Sequence, residues 1–140
     1  MRSVRTLLAS LLAAAVLLPA SALAWPHNPT QNVPIGTIAE YPTNPFTMSD
    51  GAGGIFLLHS KAMPGTGNDI YVQHFDASGN ALWTAGGVLV CNAADQQYPE
   101  GLCSDGAGGV IVVWTDYRAG YPNIDLYARR VTAAGSPAWT

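Results

Sequence analysis

The chain carries the same succession of polar turn and apolar run twice. Ser49-Asp50-Gly51-Ala52-Gly53-Gly54 leads into Ile55-Phe56-Leu57-Leu58, and 55 positions later Ser104-Asp105-Gly106-Ala107-Gly108-Gly109 leads into Val110-Ile111-Val112-Val113. Consecutive apolar positions predict a strand covered on both faces. The next segment, DIYVQHFD from Asp69, alternates: Tyr71, Gln73 and Phe75 share one side, and Ile70, Val72 and His74 the other. Its counterpart, DLYARRVT from Asp125, lies 56 positions on, so the loop between has gained one residue. Both segments run into a turn with a late glycine, Asp76–Asn80 (DASGN) and Thr132–Ser136 (TAAGS), the mark of a hairpin. Trp83-Thr84 then recurs as Trp139-Thr140. A further strand is predicted from near Trp83 to Val90, interrupted at Gly86-Gly87, and a short one over Tyr98–Cys103. Beyond the N-terminal segment no helical period is present.

Four antiparallel strands recurring every 55 or so residues predict an all-β fold: an incomplete β-propeller-like array of about two four-stranded antiparallel blades, after a helical signal peptide. A β-sandwich, the commonest rival, does not require repetition at this length. The segment NVPIGTIAEYP (Asn32–Pro42) resembles GVLVCNAADQQYP (Gly87–Pro99), so the chain after the signal is expected to open with the outer strand of a blade. The expected organisation is a signal peptide over 1–24, an N-terminal segment with that outer strand over 25–48, a first unit over 49–97 and a second, truncated unit over 98–140. Two blades do not close a ring, which takes about four or more. The sequence therefore reads as a fragment of a longer protein, or as a chain that needs further blades or self-association.

The N-terminus sets the address. Arg2 and Arg5 precede an apolar Thr6–Leu18, Pro19 breaks it, and Ala22-Leu23-Ala24 offers small residues for cleavage. That is the pattern of a secretory signal, and the apolar run is short of the roughly 20 residues of a membrane span. An exported protein is expected, extracellular, at the cell surface or periplasmic, with no stable membrane span after cleavage. The mature part keeps Lys61, Arg118, Arg129 and Arg130 against nine acidic residues, so there is no basic face for nucleic acid.

The second unit resembles exported bacterial repeat proteins whose units read DGxGGxxxxWxDxR, then DIYAQR, then a turn before a Trp. The matching residues are Asp105, Gly106, Gly108, Gly109, Trp114, Asp116 and Arg118, followed by Asp125, Leu126, Tyr127, Ala128 and Arg129. The first unit departs: His59 stands in place of the Trp and Lys61 in place of the Asp. The resemblance covers roughly residues 33–140 and implies a propeller-like, secreted or surface-attached protein, without implying a chemistry.

Candidate chemistry is sparse. SDGAGG lacks the Lys and the following helix of a phosphate loop. Calcium takes six to eight oxygens; Asp50 and Asp105 give one carboxylate each, and Asp76 and Ser78 become Thr132 and Ala134 in the second unit, so no ligand set repeats. No cofactor is assigned, and no catalytic or metal residue. DASGNALW fits the Asp-box spacing of sialidase-type propellers imperfectly. Asp116 and Arg118 are close enough to form a loop-fixing ion pair, and His59 is expected to be a hydrogen-bonded core residue. Cys91 and Cys103 follow export, so a disulfide is chemically allowed and would add about 3 kcal/mol. The loop Asp116–Asn123 does not repeat, and its Tyr117, Arg118 and Tyr121 are the candidate contact for a protein or glycan ligand. The expected function is a non-catalytic scaffold for binding or adhesion. The alternative is a fragment of a carbohydrate-active, sialidase-like propeller enzyme.

Overall fold

The computed structural model describes Thr30, Asn32 and Thr43–Trp139. The signal peptide over 1–24 and the outer strand expected up to Pro42 lie outside the described residues. Within them the chain is all-β: eight strands form two four-stranded antiparallel sheets. The first holds β1 (Thr43–Ser49), β2 (Ile55–Met63), β3 (Gly67–Phe75) and β4 (Val88–Cys91) in chain order. The second holds β5 (Gln97–Ser104), β6 (Val110–Asp116), β7 (Asp125–Val131) and β8 (Pro137–Ala138), also in chain order.

The repeated hexapeptide is the corner from the first strand to the second in each sheet. Asp50 Oδ1 accepts the amides of Ala52 (2.7 Å) and Gly54 (2.8 Å), and Asp105 Oδ1 accepts those of Ala107 and Gly109 (both 2.8 Å). The second oxygen of each carboxylate reaches the third strand: Asp50 Oδ2 lies 3.0 Å from His74 Nε2, and Asp105 Oδ2 2.7 Å from Arg130 Nε. His74 and Arg130 are themselves repeat counterparts. The glycines follow from the backbone these bonds enforce. Gly53 and Gly108 sit at φ of +92° and +81°, where a Cβ is strained. At Gly54 a Cβ would lie 2.1 Å from the Phe75 carbonyl oxygen, and at Gly109 2.3 Å from that of Val131.

Register assigns each sheet two faces, because directly paired residues of an antiparallel ladder share a side. In the first sheet Phe56, Leu58, His74, Val72 and Ile70 share one face, and Leu57, His59, Lys61, Gln73, Tyr71 and Asp69 the other. In the second, Val110, Val112, Trp114, Val131, Arg129 and Tyr127 form one face, and Ile111, Val113, Arg130, Ala128 and Leu126 the other. The core joins Phe56, Leu58, Ile70, Val72, Val88 and Val90 to Val110, Val112, Trp114 and Val131. Each sheet thus uses a different face: the sheets stack front to back. Trp83 fastens them at one end. It packs on Phe56 and His74 of its own sheet, while its indole N–H donates to the Ala133 carbonyl of the other (3.1 Å).

Three features differ from the sequence reading. β1 joins the first sheet as an edge strand, although the repeat pattern places residues up to 48 in a separate N-terminal segment. It bears Pro45 at a break in register, as β5 bears Pro99 at one, and proline tolerates an edge because it has no N–H to lose there. The strand expected from Trp83 begins only at Val88, because Gly86 and Gly87 take φ of +81° and +92°. No disulfide forms: Cys91 is a buried free thiol and Cys103 an exposed one. Cys91 ends the outer strand of one sheet and turns toward Asp116; Cys103 pairs with Ile111, on the face that points away from the first sheet.

Gly109→Ala is expected to cost about 2 kcal/mol or more in chemical denaturation, because a methyl there must displace the Val131 carbonyl. Gly101→Ala, with open space around it, should stay within about 0.5 kcal/mol.

Candidate functional site

A cleft of about 600 Å³ opens where β4 of the first sheet meets β6 and β7 of the second. Val90 to Ala93 form one wall, Trp114, Arg118 and Tyr127 to Arg129 the other, and Trp139 stands at the rim. The alternation of β6 puts Trp114 and Asp116 on the same side, facing the first sheet. Both are buried.

A charge network fixes the floor. Asp116 Oδ2 accepts the Trp114 indole N–H (2.9 Å), and Arg118 grips Asp116 through Nε (2.9 Å) and Nη2. The Arg118 amide adds a bond to Asp116 Oδ1 (3.0 Å). Burial alone would raise the Asp116 carboxyl, but the donors from Arg118 and Trp114 overcome it and hold its pKa at about 2. The Arg118 guanidinium, held charged by the same bond, lies 4.2 Å from the centre of the Tyr127 ring, and Trp114 stacks with Tyr127 at 5.9 Å. Cys91 Sγ closes the network, 3.7 Å from Asp116 Oδ2 and 3.4 Å from Arg118 Nη2. Burial, the largest influence, pushes its thiol up, which favours the protonated form.

The three loop residues that the sequence brings forward differ in their surroundings. Arg118 turns into the cleft and makes the ion pair with Asp116 expected of it. Tyr117 is half-buried, packed edge-on against Tyr98 with ring centres 5.7 Å apart. Only Tyr121 stands free, 84% exposed. Of the three, Arg118 lines the cleft, whose other members the sequence does not mark as a site.

The remaining candidates make contacts within the fold. The Asp50 and Asp105 carboxylates, the candidate calcium ligands, are held by their own turn amides and by His74 and Arg130. Among the described residues no three of His, Cys, Asp and Glu converge to hold a metal ion. His59 is buried and stacks on Tyr71, ring centres 6.1 Å apart, and burial lowers its pKa. That burial is as expected of a core histidine, with Nδ1 lacking a hydrogen-bond partner. No family model matches the chain, and comparison with curated proteins and with solved structures finds no match either.

Asp116 supplies stability that is present above its unfolded pKa, near 4, and is lost as pH falls through its folded value of about 2. Asp116→Asn should cost about 2 kcal/mol at neutral pH. In denaturant titrations the gap between wild type and variant should close as the pH falls from about 4 to about 2. A gap that does not change with pH would show that the charge of Asp116 is irrelevant.

Proposed function

We propose that the chain is an exported, non-catalytic binding module built from consecutive blades of a β-propeller-like array, presenting a rigid scaffold to a protein or glycan ligand. The reading rests on one observation. Equivalent positions of the two sheets differ sharply in exposure on a single face: Ile70 is fully buried under the second sheet, while its counterpart Leu126 is 71% exposed. Val72 is likewise buried and Ala128 exposed. Front-to-back stacking leaves each sheet able to receive another of its kind, as the blades of a propeller do. The bare face around Leu126 is therefore the seat for a further blade or for a second copy of the chain.

Export is supported by the N-terminal pattern of Arg2, Arg5 and the apolar run to Leu18. A role in binding is supported by the way the repeated polar residues are used. Asp50 and Asp105, with His74 and Arg130 at equivalent places on the third strands, hold the corners, which is the work of a scaffold. Arg129 and Trp114, which depart from Gln73 and His59 of the first unit, line the cleft.

Leu126→Asp in the native chain should change stability by less than about 0.5 kcal/mol, since Leu126 touches water. In a chain extended by a second copy of residues 98–139, the same change should cost about 2 kcal/mol, because the added unit would cover that position. Equal effects in the two backgrounds, measured by urea denaturation, would contradict front-to-back addition.

A further inference from the structure

We propose that Asp50–Gly51 is a site of spontaneous aspartate isomerisation in the folded protein, with its rate set by the bond from His74, and that Arg130 shields the matching pair Asp105–Gly106.

The chemistry favours an aspartate followed by glycine, because the next amide must reach the carboxyl and a side chain there would crowd it. The Gly51 nitrogen attacks Asp50 Cγ. An N–C bond forms, a C–O bond breaks, and the carboxyl oxygen leaves as water, taking its own proton and that of the amide. Water then opens the five-membered imide at either carbonyl and returns aspartate or isoaspartate. Water is the one co-reactant, released in the first step and consumed in the second.

The two corners form a controlled pair. Ser49 to Gly54 and Ser104 to Gly109 are the same six residues, so the unfolded chain gives both sites nearly the same intrinsic reactivity. Both aspartates are held alike within their turns. One oxygen accepts two turn amides, those of Ala52 and Gly54 or of Ala107 and Gly109. The glycine amide that would attack is also occupied: Gly51 donates to Ser49 Oγ and Gly106 to Ser104 Oγ, at 3.1 Å in each. Gly51 and Gly106 are exposed, so water reaches both. To present Cγ to the amide, the carboxyl must swing out of its bonds. Reaction therefore proceeds from a locally opened corner.

The difference lies on the third strand. Asp105 Oδ2 is 2.7 Å from Arg130 Nε, and Asp50 Oδ2 is 3.0 Å from His74 Nε2. An arginine keeps its charge throughout, whereas an imidazole is a cation only when protonated. The Asp105 side chain is 1% exposed and that of Asp50 10%. Two further rings pack on His74, and neither brings a charge: Phe56 stacks with its centre 4.2 Å away, and Trp83 meets it edge-on at 5.5 Å. The first corner thus has the weaker clasp and opens more often. Isoaspartate there carries the main chain through Cγ, lengthens the corner by one carbon, and displaces the carboxylate that binds Ala52, Gly54 and His74. The join of β1 and β2 would then loosen as the protein ages.

The test ages the full chain in warm neutral buffer, native and in urea, and measures isoaspartate at each position by mass spectrometry of a digest. In the native protein position 50 should isomerise about fivefold faster than position 105, or more, while in urea the two rates should agree. His74→Arg should slow position 50 to the rate of position 105, and Arg130→His should raise position 105 to the rate of position 50, each leaving the other corner unchanged. Equal native rates, a faster position 105, or exchanges without effect would each overturn the proposal. So would a native chain that forms no isoaspartate at position 50 while the unfolded chain does. Should one variant fail to fold, the other variant and the comparison of native with unfolded chain decide.

Discussion

One carboxylate per unit organises this molecule. Asp50 and Asp105 each hold two amides of their own turn with one oxygen and the side chain of His74 or Arg130 on the third strand with the other. The turn brings the first two strands together, and the bond to His74 or Arg130 brings in the third. For Asp105 the Ala107 amide and then Arg130 hold the carboxyl below its ordinary pKa. For Asp50, partial burial works the other way, but the bonds from His74 and the turn amides outweigh it. Ionised acceptors give the stronger hydrogen bonds, so the corner is firmest where the carboxylate is charged.

Stacking follows from these corners. With three strands set, the alternation of β2 and β6 decides which side chains meet. Phe56 and Leu58 of one sheet face Val110, Val112 and Trp114 of the other. Trp83 then bridges to the next hairpin, where a Cβ on Gly135 would stand 2.8 Å from the indole. The late glycine of that hairpin serves the neighbouring sheet as well as its own turn. The same logic exposes Leu126, whose counterpart in the first sheet, Ile70, is covered.

Much of this is legible in the residues. The two SDGAGG corners, the apolar runs after them and the alternating third strands are all encoded by local pattern, and the register of β2 with β3 agrees with the faces read from Tyr71, Gln73 and Phe75. β1 is not legible: TNPFTMS does not alternate, and it is a strand because β2 offers it an edge. The late start of β4 is hidden because Trp83 looks like a strand residue and serves a junction between sheets. The cleft is hidden for a different reason. Its walls come from segments far apart in sequence, from Val90–Ala93 to Tyr127–Arg129. Comparison of the repeats at Gln73 and Arg129 is the signal that could have pointed to it.

Native-state hydrogen exchange at the Gly54 and Gly109 amides is the most direct test of the central role given to the two aspartates. Both amides donate to a carboxylate inside a turn that would otherwise exchange like an open loop. The account predicts protection comparable to that of β2 and β6, with Gly109 losing it in Asp105→Ala. Rapid exchange of both amides in the unaltered protein, while the strands stay protected, would show that the corners are passengers of the sheets and not their cause.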